Sequence, residues 1–370
     1  MSSSPNASTS TRTTTDENDN MDALSQTPLG MDSASHLLDG LDVYTIYSND
    51  GQKHPISVYG IHSKNQTEEF QKDGIQRRPI LLLHGRTWSS VPVYHLLGGS
   101  QSSSGQPQGN GGGEGQKSRS LMESLHAKGL QPYALDFRGF GGTPSDDTNS
   151  VTPNTCVCDV GYALDFITKK HAPTNAENIG DHHCHLPALL GWSQGALVAQ
   201  LFAQKSPQLI SKLILYGSIY DPLLSYPPMP LYVNGTDTSN EERIKNTFNA
   251  AIEDFTIEGS IPPEPATKFA EAALQSDPYK AKWTYLSQFN NVDPARISVP
   301  TLVVAGDQDP YAPMRVQVSL FENLGRGADR TWSIIADADH AVHLLDDGRD
   351  RFINIVTSFV ENGKKGETYD

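Results

Sequence analysis

Residues 191–195 form the most reactive pattern in the chain, Gly-Trp-Ser-Gln-Gly. The apolar run 186–190 before them favours a buried strand, and apolar residues at three- and four-residue spacing after them favour a helix that ends near Pro207. Ser193 would then lie on a sharp turn that exposes its hydroxyl, and the backbone N–H of Gln194 would point to where an oxyanion forms. The pattern predicts a nucleophilic serine. A Gly-Ser turn that merely begins a helix is the plainer alternative.

Such a serine needs two partners. Its hydroxyl is a poor nucleophile near neutral pH, so an imidazole must accept the proton during the attack, and a carboxylate must orient that imidazole and stabilise its charged form. The chain contains 12 histidines and 43 acidic residues, so residue type alone selects neither partner. The selection has to come from the elements that bring side chains to Ser193.

Strand-like and helix-like stretches alternate along most of the chain. The predicted strands are 41–47, 54–60, 79–85, 132–137, 186–190, 209–216, 299–306 and 331–336, and the predicted helices are 118–128, 152–171, 196–207, 314–323 and 345–361. This alternation predicts an α/β fold with a mostly parallel sheet, helices on both faces and a leading antiparallel hairpin. Reactive groups then collect at the carboxyl ends of the strands.

Four stretches fall outside this alternation. Residues 1–38 are rich in Ser, Thr, Asn and Asp and predict a disordered N-terminal tail, residues 98–118 predict a flexible low-complexity loop, and residues 363–370 predict a C-terminal tail. Residues 219–295 contain several prolines and two amphipathic helical stretches, around 241–255 and 265–274, which predicts an excursion from the sheet. A transit peptide is the alternative for the first stretch, but its acidic residues argue against import into an organelle.

The composition narrows the classes of partner. With 28 Lys and Arg against 43 Asp and Glu, the net charge is −15, which disfavours nucleic acid, an anionic membrane surface and a polyanionic substrate. Three cysteines do not suggest a disulfide framework, so we expect a reducing, cytoplasmic location. No apolar run approaches the length of about 18 residues that a membrane span needs. Composition leaves the oligomeric state open.

Over about residues 41–361 the chain resembles the α/β-hydrolase superfamily. The resemblance rests on five motifs in the family's order: His84-Gly85, Asp136-Phe137-Arg138-Gly139-Phe140-Gly141, the Ser193 motif, Ala305-Gly306-Asp307-Gln308-Asp309-Pro310, and Asp339-His340. It implies an α/β-hydrolase fold, with a mostly parallel central sheet, helices on both faces and a helical cap insertion. The core would comprise residues 39–218 and 296–362, and the cap would be the excursion at 219–295.

The resemblance also implies a catalytic triad of Ser193, Asp309 and His340. His340 follows the last predicted strand and lies where the family has a Gly-His pair. Here the pair is Asp339-His340, and the effect of the added charge is open. His343 is the rival base, although packing or capping a helix start suits it better.

Three carboxylates compete for the role of acid in this triad. Asp309 has the family's spacing after the strand that ends at Gly306. Asp307 follows that strand more closely and better suits capping the turn. Asp221 is the third candidate. It follows the predicted strand 209–216, and some relatives have the acid after that strand.

The oxyanion hole implied by the resemblance consists of the backbone N–H groups of Arg86 and Gln194. The side chain of Arg86 would either bind a substrate carboxylate or form a salt bridge to an acid such as Asp136. Trp88 and Trp192 are candidates for substrate binding, or for packing alone. The same two interpretations apply to seven residues of the excursion: Tyr226, Pro227, Pro228, Met229, Phe248, Phe255 and Trp283.

No metal or other cofactor is expected. The cluster His182-His183-Cys184-His185 and the pair Cys156 and Cys158 lack the ligand spacing of a helix or knuckle that binds zinc. A solvated loop is the better interpretation of the cluster.

We therefore expect a serine hydrolase that cleaves a carboxylic ester, or a related acyl bond, of a small and partly apolar substrate through an acyl-enzyme. Acyltransferases, thioesterases and carbon–carbon bond hydrolases can use the same triad. A non-catalytic binding protein on this fold is the alternative from another class.

Overall fold

A single eight-stranded sheet organises the part of the chain that the structure describes. The computed structural model describes residues 35–62, 77–97, 118–172, 186–219 and 244–362. Its strands are β1 Leu41–Tyr47, β2 Pro55–Ile61, β3 Arg78–Leu83, β4 Leu130–Leu135, β5 Ala188–Trp192, β6 Lys212–Tyr216, β7 Thr301–Gly306 and β8 Arg330–Ile335. They are ordered β1-β2-β4-β3-β5-β6-β7-β8. Only the pairs β1–β2 and β2–β4 in this sheet are antiparallel. The predicted α/β fold with a mostly parallel sheet is confirmed.

The helices of the described segments follow the predicted alternation, with local differences. They are α1 Ser90–Tyr94, α2 Leu121–Ala127, α3 Pro153–Lys170, α4 Gln194–Lys205, α5 Phe248–Ile252, α6 Pro263–Ser276, α7 Met314–Asn323 and α8 Arg349–Glu361. The last helix begins at Arg349 rather than at Leu345, because Gly348 adopts a left-handed φ of +85° and a short 3₁₀ turn, Val342–Leu344, precedes it.

Two apolar clusters cover the two faces of the sheet. Alternate residues of β3 divide between them: Ile80 and Leu82 face the cluster with α2, α6 and α8, and Leu81 and Leu83 face the cluster with α3 and α4. This alternation follows from the two-residue repeat of a strand. Because both faces are buried, the central strands are apolar over most of their length, which is typical of a parallel sheet.

The chain leaves the sheet between β6 and β7. We call residues 244–298 the inserted segment. It contains α5, α6 and the 3₁₀ turns Leu286–Asn291 and Pro294–Arg296, and within its described residues it adds no strand to the sheet. The predicted helix at 241–255 is described only from residue 244 and is shorter, since Thr247 caps it by accepting from Ala250 N at 3.2 Å.

Several sequence predictions lie outside the described residues. They concern residues 1–34, most of the 98–118 loop, the histidine cluster at 182–185, the segment 220–243 with Asp221, and the C-terminal residues 363–370.

Candidate active site

Ser193 occupies a strained turn between β5 and α4. Its φ of +57° and ψ of −123° are unusual for a residue with a side chain, and such a conformation costs about 1–3 kcal/mol. The turn is held by Ser193 N, which donates to Tyr216 O at 2.9 Å. A Cβ at Gly191 would lie 2.3 Å from Gly195 O, and one at Gly195 would lie 2.4 Å from His84 O. Both positions therefore require glycine, because neighbouring backbone atoms occupy the space that a Cβ would need.

His340 and Asp309 form a buried pair on the loops after β8 and β7. His340 Nδ1 lies 2.7 Å from Asp309 Oδ2. The other oxygen, Oδ1, accepts from Tyr311 N at 2.9 Å and from Ala312 N at 2.8 Å, which fixes the carboxylate. The rings of Trp192 and Tyr311 each lie 5.2 Å from the imidazole. Because Nδ1 faces the carboxylate, we assign the proton of the neutral ring to Nδ1, and Nε2 is left as the basic nitrogen.

Ser193 and His340 line one cavity. Its volume is about 390 Å³, and its described lining residues are Gly85, Arg86, Thr87, Trp88, Trp192, Ser193, Ile219, Asp254, Tyr311 and His340. A Cβ at Gly85 would lie 3.6 Å from Ser193 Oγ, and one at Gly217 would lie 3.1 Å from the His340 ring and 3.2 Å from Asp309 Oδ2. Ser193 and His340 therefore lie at one cavity at the carboxyl ends of the strands, and Asp309 lies beside His340.

The alternative base, His343, and one alternative acid, Asp307, have contacts that give each of them a structural role. His343 is fully buried, with Nδ1 3.0 Å from Tyr216 Oη and Nε2 3.0 Å from Val93 O. Burial lowers its pKa to about 3, so it stays neutral. Asp307 is exposed, and its Oδ1 accepts from Ala338 N at 3.4 Å. His343 therefore has a packing role and Asp307 a turn-capping role.

The loop after β3 is held by two buried carboxylates. Ser89 N donates to Asp277 Oδ2 and Ser90 N to Asp136 Oδ1, each at 2.8 Å. The backbone of the turn after β4 donates to the same pair, from Gly141 N to Asp277 Oδ1 at 2.9 Å and from Gly142 N to Asp136 Oδ2 at 2.9 Å. Asp277 follows α6, so this pair also joins the inserted segment to the core.

Burial raises the pKa values of both acids. The pKa of Asp136 is raised to about 6 and that of Asp277 to about 7, because burial disfavours the charged form and the bound N–H groups offset this only in part. The charge of Asp136 further raises the pKa of Asp277. The pair therefore titrates near neutral pH.

The structure has no salt bridge between Arg86 and Asp136, which was one of the two alternatives for the Arg86 side chain. Asp136 is fully buried, and three donors hold it: Tyr59 Oη at 2.8 Å and the two backbone N–H groups above. The Arg86 side chain is exposed and lines the cavity, and its backbone carbonyl accepts from Trp283 Nε1 at 3.1 Å. Gln194, the other expected donor residue, is the first residue of α4, where the backbone N–H has no intrahelical acceptor.

Both tryptophans that were expected at the substrate site line the cavity and also hold other residues. Trp192 Nε1 donates to His340 O at 2.9 Å, and Trp88 Nε1 donates to Asp254 Oδ2 at 2.5 Å. Sequence reasoning missed Asp254, because it lies in the inserted segment and belongs to no motif.

Three aromatic residues of the inserted segment are absent from the described cavity lining. Phe255 packs edge-on against Phe269, with centroids 5.3 Å apart. Trp283 contacts a group of aromatic rings, Phe137, Phe140 and Phe289. Phe248 is 38% exposed. Tyr226, Pro227, Pro228 and Met229 lie outside the described residues.

Asp339, which replaces the family's glycine beside the histidine, has a structural role. Its Oδ2 accepts from Thr256 N at 2.9 Å, and its Oδ1 accepts from Ala341 N at 2.9 Å. The loop that presents His340 is thereby tied to the inserted segment.

The remaining expectations concern metals and membranes. Within the described segments, no three His, Cys, Asp or Glu side chains are grouped so that they could hold a metal ion. Cys156 is buried and Cys158 exposed, and both are free thiols. Among the described helices, none has the length and apolar character to cross a membrane.

The fold and the arrangement of these loops define an α/β hydrolase. A model of the alpha/beta hydrolase family matches residues 80–355, and the chain belongs to this family. No curated protein matches the chain.

Solved structures that resemble the chain share its fold. A thermophilic esterase from Thermogutta terrifontis is 15% identical, with 86% of this chain and 98% of that chain covered and a TM-score of 0.55. The thioesterase domain from the curacin biosynthetic pathway is 14% identical, with 86% and 99% covered and a TM-score of 0.52. The carboxylesterase CesB from Bacillus subtilis is 14% identical, with 90% and 96% covered and a TM-score of 0.50. At such identities the likeness shows the fold alone.

Proposed function

We propose that this α/β hydrolase is a serine hydrolase that cleaves a carboxylic ester, or a related acyl bond, through an acyl-enzyme. The observation that carries the proposal is the 2.7 Å contact between His340 Nδ1 and Asp309 Oδ2, in a site where His340 and Ser193 line one cavity. This combination supplies a nucleophile, a base and a group that orients the base.

In the proposed reaction, Ser193 Oγ attacks the carbonyl carbon while His340 Nε2 accepts the hydroxyl proton. Asp309 holds the imidazole through Nδ1 and stabilises its charged form. The backbone N–H groups of Arg86 and Gln194 bind the oxyanion, and each such donor is typically worth about 10²–10³ in rate. His340 then protonates the leaving group. Water, activated by the same imidazole, releases the acid and restores Ser193.

We also propose that residues 219–295 act as the cap over this cavity. Two contacts support this role: Asp254 lines the cavity, and Trp88 on the loop after β3 packs edge-on against Phe269 of α6, with ring centroids 6.4 Å apart. The cavity of about 390 Å³ lies in the range of small-molecule sites. Its aromatic lining suits a small, partly apolar substrate.

The test is covalent labelling with a fluorophosphonate probe, followed by turnover of nitrophenyl esters of graded chain length. We expect the wild type to be labelled, Ser193→Ala to lose labelling while it keeps its circular dichroism spectrum, and kcat to fall by about 10⁶-fold. Ser319→Ala, on α7, is the matched control and should behave as wild type.

Two results would contradict the proposal. Labelling of Ser193→Ala at the wild-type rate would show that another residue is the nucleophile. A folded wild type that neither labels nor hydrolyses any of the esters would favour the non-catalytic binding protein. Product analysis with an added alcohol or amine distinguishes acyl transfer from hydrolysis.

A further inference from the structure

Asp254 brings a carboxylate to the cavity that Ser193 and His340 share. It lies in the loop after α5, is half-buried, and accepts a hydrogen bond from Trp88 Nε1 at 2.5 Å. The proposed acyl chemistry does not use it. A carboxylate at a substrate cavity needs a reason, because burial without a charged partner is unfavourable.

The position of this carboxylate is fixed by its neighbours. Trp88 is only 2% exposed and packs edge-on against Phe269. Phe255, the next residue after Asp254, packs edge-on against the same ring. One residue further, Thr256 N donates to Asp339 Oδ2 at 2.9 Å. The carboxylate is therefore held in place before any ligand arrives, which reduces the entropic cost of binding.

The carboxylate has capacity for further hydrogen bonds. Two carboxylate oxygens can accept about four hydrogen bonds. Within the described segments, Trp88 supplies the one that Asp254 receives. Burial raises the pKa of Asp254, while the hydrogen bond from Trp88 and the nearby His340 oppose that rise. A ligand that brings a positive charge and N–H donors would satisfy the remaining oxygen lone pairs.

The charges around this part of the cavity favour a cation. Burial raises the pKa of Tyr311, and the carboxylates around it raise that pKa further, namely those of Asp254, Asp309, Asp339 and Glu253. Four carboxylates therefore lie near Tyr311 on this side of the cavity, while the exposed guanidinium of Arg86 also lines the cavity. A free carboxylate on the substrate would be repelled from this side.

We propose that Asp254 is a specificity-determining residue that binds a protonated amine on the substrate. The proposal depends on the proposed function only in taking the cavity as the substrate site. It narrows the substrate class to acyl compounds that carry an ammonium group on the side of the cavity formed by the inserted segment.

The test measures binding without turnover, by titration calorimetry on Ser193→Ala protein. The probes are three amines, benzylamine, 2-phenylethylamine and 3-phenylpropylamine, and the alcohols of the same length. We expect at least one amine to bind about 10- to 150-fold more tightly than its alcohol, the range for a hydrogen bond to a charged group. Adding Asp254→Asn should remove this preference, because the amide keeps an acceptor for Trp88 Nε1 but loses the charge.

The matched control is Glu258→Gln on the same background. Glu258 lies in the same segment, is exposed and is absent from the described cavity lining, so the preference for the amine should remain within about threefold of the parent value. Thermal unfolding of each variant shows whether it is folded. The comparison of amine with alcohol in the Ser193→Ala parent tests the proposal even if the Asp254→Asn variant does not fold.

Three outcomes would overturn the proposal: no measurable binding by any amine, equal affinity for each amine and its alcohol, or an unchanged preference after Asp254→Asn. These outcomes are distinct from failure of the proposed function. A protein that prefers amines but is not labelled by a fluorophosphonate would refute the hydrolase and retain the amine site.

Discussion

Replacing Asp309 by asparagine tests how the imidazole is held. Asp309 Oδ1 accepts from Tyr311 N and Ala312 N, and Oδ2 faces His340 Nδ1. The new amide has one acceptor oxygen. If its nitrogen faced the two backbone donors, both N–H groups would lose their acceptor, and the buried one, on Ala312, would alone cost about 1–3 kcal/mol. The oxygen will therefore keep the Oδ1 position, and the amide nitrogen will point at the imidazole.

The consequence is a change of tautomer rather than a change of shape. With an N–H opposite Nδ1, the imidazole must present its lone pair there and carry its proton on Nε2. It then cannot accept the proton from Ser193. Since the wrong tautomer in such a triad lowers kcat by about 10⁴-fold, the expected loss is about 5.4 kcal/mol of transition-state stabilisation.

The assay is steady-state hydrolysis of the best nitrophenyl ester, with fluorophosphonate labelling as a second readout. Asp309→Asn should lower kcat with KM within about threefold of wild type, and it should slow labelling in parallel. Asp307→Asn is the matched control, because Asp307 lies two residues away and is exposed; it should keep most of the activity. If Asp309→Asn retained more than a tenth of wild-type kcat, or if Asp307→Asn were the more damaging change, another carboxylate would be the acid and the reasoning would be refuted.

Two further predictions concern the supports of the site. Trp283→Phe removes the hydrogen bond to Arg86 O but retains an aromatic ring, so kcat should fall by about 10-fold, less than the 10²–10³ for outright loss of an oxyanion donor; an unchanged kcat in ester hydrolysis would argue against this support. Asp277→Asn tests the raised pKa of about 7. The unfolded pKa is about 3.9, so the protonated acid stabilises the folded state at low pH, and that contribution is lost as pH rises to about 7. The unfolding free energy of the variant relative to wild type, from urea titrations, should therefore rise between pH 5 and pH 8; a constant difference would contradict the assignment.

The sequence predicted those parts of the molecule whose information is local. The alternation of strand-like and helix-like stretches identified every strand of the described sheet. Burial on both faces leaves apolar runs in the central strands, and the half-exposed edge strand β1 has alternating polar and apolar residues instead. Gly191 and Gly195 predicted the turn at Ser193, since the backbone approaches there leave no space for a Cβ. The start of α8 was misplaced, because the prediction followed the apolar spacing from Leu345 across the turn signal Asp347-Gly348, where the structure has a left-handed residue.

Partnerships between distant segments could not be predicted. Asp136 and Asp277 are 141 residues apart, yet they share the donors of two loops. Asp254 meets Trp88 across a separation of 166 residues. Such pairs depend on how the inserted segment packs on the core, and no repeat or spacing in the sequence encodes that packing. For the same reason, sequence left Asp307 open as the acid, although the backbone donors at Tyr311 and Ala312 favour Asp309.

The inserted segment is fastened to the rest of the protein next to both halves of the site. Thr256 is bound to Asp339 beside His340, and Asp277 is bound to Ser89 on the loop that carries Arg86. Under the proposed role of residues 219–295 as a cap, these two hydrogen bonds would couple any movement of the inserted segment to the loops that carry His340 and Arg86. Opening the cavity would then also displace the groups that act on the substrate.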